Sequence, residues 1–354
     1  MTRPPGPDHP LRLVLVSRAF YPRVGGIETH SALLADYLHK RGHQVTVLTE
    51  AALASHEREP FPFPVVRQPN FRTAARLLAD TNVVVHNQIS LRALPPWLLS
   101  RRPLILIHQT WLPDQGPLRK RLAAAIKRFT CRLASNVTCS AAVGRELGLP
   151  HLVIPNTYDD SLFRLRPDVQ RDQDLLFVGR LVSDKGIDLL VDALGRLAEE
   201  HFKPSLTIVG SGAEETALRN RVDELGLGRQ VDFAGSLRGE ALAKAMNKHR
   251  IMVVPSRWQE PFGIVALEGL ASGCRIVASN GGGLPEAAGP EAHLFDLDHP
   301  VSLDAALRAA LSAALSAPTD LTLSLAVAAH LEHHTLNAVG TRFEQTIASV
   351  MHSK

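Results

Sequence analysis

The sequence predicts an α/β protein built as two Rossmann-like, doubly wound parallel-sheet domains. Three observations point there. Short β-branched apolar runs such as Ile251-Met252-Val253-Val254 recur along the chain and read as strands buried on both faces. Loops carrying Gly or Pro follow these runs and lead into segments of helical period. A length of 354 residues allows two such cores.

Composition narrows the function classes. Hydrophobic residues make up 45% of the chain and charged residues 21%, the balance of an ordered protein. A net charge of +4 and a pI near 9.1 suit an anionic substrate or membrane surface without requiring nucleic acid. Cys131, Cys139 and Cys274 form no CxxC pair, so neither a disulfide framework nor a zinc site is expected, and a reducing cytoplasmic setting fits. No apolar run approaches the ~18 residues of a membrane span. Residues 1–10 are Pro-rich and polar, and read as a disordered lead-in rather than a signal peptide.

The first domain is expected over 11–155. Leu11–Ser17 is a strand, a loop with Gly25-Gly26 follows, then a helix carrying Leu33, Leu34, Tyr37 and Leu38, then the strand Val45–Thr49. This βαβ unit puts its ligand edge at the C-terminal ends of the strands. Gly25-Gly26 either closes over a bound ligand or is simply a flexible turn. Asp80–Val85 and Leu104–Ile107 are further strands, ending in His86-Asn87 and in His108-Gln109-Thr110-Trp111. A His so placed either faces the ligand edge or caps the core.

Residues 117–134 form a helix with Arg119, Lys120, Arg121, Lys127, Arg128 and Arg132 and no acid. Its Leu118, Leu122, Ala125, Ile126, Phe129 and Leu133 share a face. The expectation is a sheet-covering helix with a solvated charged side, although such a helix can also lie on anionic lipid. Strands at 136–139 and 151–154 complete the domain, and the polar, turn-rich residues 156–172 read as a linker.

The second domain is expected over 173–333. After the strand at 175–178, Arg180 and Lys185 span a turn and can converge on one diphosphate, Arg as a planar fork and Lys as a point charge. Leu206–Val209 runs into Gly210-Ser211-Gly212, and the strand from Val231 ends at Gly235-Ser236-Leu237. Ile251–Val254 is followed by a loop to Phe262, bounded by Pro255 and Pro261, and by a helix from Gly263. A helix start presents free N–H groups and a positive dipole end to a phosphate, and Gly263 lets an anion approach closely. Glu260 and Glu268 flank that start, and beside a diphosphate they are better suited to hydroxyls. A strand at 275–279, the Gly281-Gly282-Gly283 loop with Glu286, a strand at 293–295, and helices near 302–315, 319–331 and 334–350 end the chain.

The string Glu260-Pro-Phe-Gly-Ile-Val-Ala-Leu-Glu268 resembles the E-x7-E signature of retaining GT-B glycosyltransferases of family GT4. Gly179-Arg180-Leu181 with Lys185-Gly186 resembles the diphosphate motif of that family, and Gly25-Gly26-Ile27-Glu28 its N-terminal loop. Pro155-Asn156-Thr157-Tyr158-Asp159 resembles its interdomain segment, departing from it at Thr157 and Tyr158. The resemblance runs from about Leu11 to Ile347. It implies a GT-B fold, with two domains facing a cleft and the helix near 334–350 crossing back to the first domain.

It further implies a nucleotide-diphosphate sugar donor, UDP- or GDP-linked, and an acceptor that is carbohydrate, lipid-linked or a small molecule. Transfer would retain configuration, need no metal or cofactor, and serve bacterial polysaccharide, glycolipid or natural-product glycosylation. The catalytic residues it implies are His108 beside the sugar, Arg180 and Lys185 on the diphosphate, and Glu260 on the sugar. Donor contacts would come from Gly25, Gly26, Gly210, Gly212, Gly235, Ser236, Leu237, Phe262, Gly263 and Ile264, with Glu268 on the ribose. Glu28, His86 and Trp111 would meet the acceptor. The expected place is cytoplasmic, with peripheral contact to the inner face of an anionic membrane through the basic helix left open. A sugar-nucleotide epimerase on a GT-B-like scaffold remains an alternative. So does a non-catalytic basic binding protein, although nucleic acid is not expected without aromatics among the basic residues.

Overall fold

The structure is a computed structural model, and it describes residues 10–23, 25–53, 58–112, 117–316 and 323–352. The expected lead-in lies outside these residues, apart from Pro10. The chain divides into two compact units, residues 1–157 with 334–354, and residues 158–333.

Unit 1 begins with β1 (Arg12–Ser17), α1 (Gly26–Lys40), β2 (Gln44–Thr49), β3 (Val65–Arg67), α2 (Phe71–Ala79) and β4 (Val83–Asn87). It continues with α3 (Leu94–Ser100), β5 (Leu104–His108), α4 (Leu118–Arg132), β6 (Ser135–Thr138), α5 (Ala141–Leu147) and β7 (His151–Val153). Among the described residues the strands form one parallel sheet in the order β3-β2-β1-β4-β5-β6-β7. The order reverses beside β1, as in doubly wound folds. The strand expected from Asp80 starts later, at Val83, because Asp80 still caps α2, its N–H donating to Arg76 O. Thr81 Oγ1 and Asn82 N–H both donate to Arg12 O, which turns the chain into the sheet.

Unit 2 holds β8 (Gln173–Val178), α6 (Ile187–Glu199), β9 (Leu206–Val209), α7 (Glu215–Glu224), β10 (Val231–Gly235) and α8 (Gly239–Lys248). Then come β11 (His249–Val254), α9 (Ile264–Ala271), β12 (Arg275–Ser279), α10 (Leu284–Ala288), β13 (His293–Phe295), α11 (Pro300–Ser316) and α12 (Leu325–Glu332). Its parallel sheet has the order β10-β9-β8-β11-β12-β13. One face packs Leu175, Phe177, Ile208 and Val253 against Leu190, Leu194 and Leu307. The helix expected from Thr319 is described from Leu325 onward, where Ser324 Oγ accepts from the Val327 N–H as an N-cap.

The chain then returns to unit 1 as α13 (Leu336–His352), which packs against α1. Phe343 is fully buried among Leu13, Leu34 and Leu38. At Gly340 an added Cβ would lie 2.5 Å from the Tyr37 ring, so the two helices cross there at close range. Arg41 Nε donates to both carboxylate oxygens of Glu344 at 2.9 and 3.0 Å. Phe343→Ala should therefore destabilise the protein by about 3–5 kcal/mol, the usual cost of emptying a buried aromatic site. Denaturant unfolding checks this, and a loss near zero would mean that α13 is not part of the core.

The basic helix corrects the sequence expectation. Its apolar face does not cover the sheet. Ala124, Thr130 and Cys131 are buried instead, while Leu118, Leu122, Ile126, Phe129 and Leu133 are exposed. The small residues let the helix lie close to the sheet. Among the described residues, no helix is long and apolar enough to cross a membrane.

Candidate active site

In unit 2, the loops that follow β8, β9, β10, β11 and β12 gather at the C-terminal edge of the sheet. Three glycines set their spacing. Added Cβ atoms at Gly186, Gly210 and Gly212 would lie 2.0 Å from Pro255 O, 1.8 Å from Gly179 O and 2.2 Å from Leu181 O. Backbone thus meets backbone, and no side chain fits between. Leu181 N–H donates to Ser211 O, Gly210 N–H to Gly235 O, and Arg257 and Trp258 N–H both to Asp184 O.

This frame brings Arg180, Lys185 and Glu260 to one edge. Lys185 ends a 3-10 turn (Ser183–Lys185), and Gly186 behind it takes a left-handed φ of 65°. Lys185 Nζ donates to Glu260 Oε1 at 2.5 Å, and Ser256 Oγ donates to the same oxygen at 2.8 Å. The pair is largely buried, with side chains 23% and 14% exposed. Ser256 is itself held by Ser279, whose Oγ donates to Ser256 O. Glu260 O accepts the Gly283 N–H at 2.7 Å, so the loop after β12 braces this acid. Arg180 is 71% exposed, and its nearest carboxylate, Asp184, is 4.0 Å away. Its fork is therefore available to a ligand.

α9 starts at Gly263, which caps it with a left-handed φ of 103°. Glu268 lies one turn in and is half-buried. Burial, and then the negative Asp159, push its carboxyl from 4.5 up to about 8. Ile264 is half-buried, and Gly212, Gly235 and Ser236 are exposed at the same edge. Ser211 and Ser236 hydroxyls pair at 3.1 Å. Phe262 is buried, so its ring packs inward and leaves only backbone for a ligand. Leu237 is half-buried.

In unit 1, His108 is buried and its Nε2 pairs with Asn136 Oδ1 at 2.9 Å. Burial lowers its pKa, and the bond to Asn136 opposes that shift. Asn136 is anchored in turn, donating to Cys131 O and Pro150 O. His108 therefore has a structural bond that its sequence position did not reveal. His86 is also buried; its Nε2 accepts the Ser90 N–H, and burial followed by the Lys127 charge pushes it to about 3. It is held neutral and shapes a loop. Gly25 caps α1, Gly26 opens it, and the Glu28 carboxylate folds back over Gly25. Trp111 is half-buried beyond β5.

Sequence reasoning missed a cavity of about 590 Å³ in unit 1. Val16, Leu48, Leu78 and Pro96 line it, with Glu50 and Ser90 also in its wall. Ser90 Oγ donates to Glu50 Oε1 at 3.0 Å, while Arg18 and Arg92 lie 3.6 and 3.8 Å from the other carboxylate oxygen. Elsewhere in unit 1, Asn87 Oδ1, Gln109 Nε2, Thr138 Oγ1 and Asn156 Oδ1 are buried without a hydrogen-bond partner among the described residues. Each is distant in sequence from the others, so no motif announces the set.

Comparison with known proteins accounts for both units. A family model described as "Glycosyltransferase Family 4" matches residues 24–161, and one described as "Glycosyl transferases group 1" matches residues 164–318. The fold and the two family models define a GT-B glycosyltransferase. An uncharacterised glycosyltransferase of Methanocaldococcus jannaschii is 28% identical over 323 residues, covering 78% of this chain and 82% of that protein. Glycogen synthase of Mycobacterium tuberculosis is 34% identical over 189 residues, which are 51% of this chain and 45% of that enzyme. A crystal structure of Anabaena HepE in complex with UDP and glucose matches 96% of this chain and all of its own. The TM-score is 0.75 at 19% identity. The two family models together span residues 24–318, so the chain is a glycosyltransferase whose first unit carries the likeness to family 4.

Proposed function

We propose that the protein is a retaining, metal-independent glycosyltransferase using a UDP- or GDP-linked sugar. The observation that carries this is the Lys185–Glu260 pair beside exposed Arg180 and the helix start at Gly263. Two cations and free N–H groups suit a departing diphosphate, whose charge grows as the glycosidic bond breaks. Glu260 then accepts hydroxyls of the sugar, and Glu268 those of the ribose. The bond from anomeric carbon to phosphate oxygen breaks, and the acceptor oxygen bonds on the same face. Its proton passes to the leaving phosphate, so no metal or protein nucleophile is required. His108 flanks the reacting centre as a neutral group.

The acceptor is read in unit 1, at the cavity walled by Glu50 and Ser90, whose polar groups would meet hydroxyls of a carbohydrate or glycolipid. We assign Glu28 and Trp111 to the acceptor as well, and His86 holds Ser90 in the cavity wall. The reaction fits polysaccharide, glycolipid or natural-product glycosylation.

Thermal shift against UDP-, GDP-, ADP- and dTDP-sugars, with and without EDTA, tests the reading. UDP is the first probe because the HepE structure holds it. Ligand at a hundred times its Kd stabilises by about 2.7 kcal/mol. A single hit that survives EDTA supports the proposal, and no shift with any nucleotide sinks it.

The ribose role predicts a pH dependence. Ribose hydroxyls donate to an ionised carboxylate, so binding must expel the proton that Glu268 holds below about 8. UDP affinity should rise with pH up to about 8 and level off there, and Glu268→Gln should flatten the profile. The raised pKa also means that Glu268 favours the ligand-free fold at low pH, an advantage lost as pH rises from 4.5 through about 8. Isothermal titration at several pH values decides, and a wild-type profile as flat as the variant's removes Glu268 from the ribose.

A further inference from the structure

At about 100° per residue, Leu118, Leu122, Ile126, Phe129 and Leu133 fall within an arc of about 80° on and just beyond α4. All five face solvent, with Leu118 80%, Leu122 61% and Phe129 59% exposed. The buried Ala124 and Cys131 occupy the opposite side, so the stripe points away from the sheet. Arg119 borders it on one side, and Arg121, Arg128 and Arg132 on the other. No acid lies between Pro117 and Ala134.

We infer that α4 is a docking surface for an anionic lipid bilayer. The covering partner must offer hydrocarbon to the stripe and anions to both flanks at once. A lipid surface does this, as an interfacial helix sinks its apolar side among acyl chains and leaves its arginines at the headgroups. A second copy does not fit, because it would set the four flanking arginines against four more. Large exposed apolar patches mark interaction sites in general; the charge here selects which.

The inward side of α4 connects this surface to the rest of unit 1. Lys127 is half-buried, and its pKa is lowered by burial and then by the charge of Arg18. Arg18 lines the cavity proposed for the acceptor. A docked α4 therefore holds that cavity close to the lipid surface, where an acceptor headgroup can be reached without leaving the membrane. The docking itself does not rest on the sugar-transfer reading.

Vesicle flotation of the full chain tests it, with phosphatidylglycerol-rich vesicles against pure phosphatidylcholine. Binding should appear with the anionic vesicles, fail with the neutral ones and weaken with salt. Leu122→Glu with Phe129→Glu should abolish flotation at unchanged melting temperature, because both side chains are exposed. Arg121→Ala, Arg128→Ala and Arg132→Ala together should weaken it roughly a hundredfold, at about fivefold per arginine near an anionic surface. Absence of wild-type flotation overturns the proposal, as does flotation that the Glu substitutions leave intact. Self-association in ultracentrifugation that those substitutions remove, without any lipid binding, would assign the stripe to a second copy instead.

Discussion

Glu260→Ala should slow sugar transfer by about a thousandfold while leaving UDP binding intact or tighter, whereas Lys185→Ala should weaken both; the rate loss is of the size seen when an aimed polar group is removed from a transition state. The opposite signs follow from geometry. Without ligand, Lys185 gives a charge-assisted hydrogen bond to Glu260 at 2.5 Å in a largely dry setting. A diphosphate must share or take that donor, so Glu260 competes with the ligand for Lys185. Removing Glu260 ends the competition and exposes the lysine to UDP, but it also removes the acceptor for sugar hydroxyls. Removing Lys185 deletes a charged donor worth about 1.5–3 kcal/mol, or roughly ten- to a hundredfold in UDP affinity. Isothermal titration with UDP, beside a transfer assay, separates the two. Equal losses of UDP affinity in both variants would mean that the pair is a structural brace.

Gly186→Ala should cost about 3 kcal/mol, the sum of ~1–2 for a left-handed alanine and the remainder for overpacking. Its φ is 65°, and the added Cβ would lie 2.0 Å from Pro255 O, a backbone atom that cannot swing aside. Relief requires the loop after β8 to part from the loop after β11. Lys185 stands on the first and Glu260 on the second, so the same methyl group that lowers stability pulls the pair apart. The melting temperature and the UDP-dependent shift should fall together. A variant that loses stability yet keeps the full UDP response would show that the two loops need not touch for the donor to bind.

How much of this was legible in the sequence depends on range. The loop-bearing unit from Ile251 to Leu270 could be read whole, because prolines, glycines and helical spacing act within a few residues. Strand positions are likewise visible in runs such as Ile105–Ile107, although the pattern starts β4 at Asp80 rather than Val83, because a helix cap and a strand entry adjoin there. The motifs placed Arg180, Lys185 and Glu260 at one edge, but not the 2.5 Å pairing across 75 residues. His108 was expected at the reacting centre, and its bond to Asn136 depends on the register of β5 with β6, which no local pattern carries. Helical spacing revealed that α4 has an apolar side. It could not say which side meets the sheet, since a row of small residues competes for the same place.

Unit 2 is spliced into unit 1, with the chain leaving after Thr157 and returning at His334, where Thr157 Oγ1 donates to His334 O at 3.0 Å. On the ribosome this fixes an order of completion. Everything up to Thr157 emerges while α1 still lacks the helix that covers Leu34, Tyr37 and Leu38. The inserted unit, contiguous in sequence, can finish its own core as soon as it has been made. The first unit must wait for α13 with that flank open to other chains or to chaperones. It is started first and closed last.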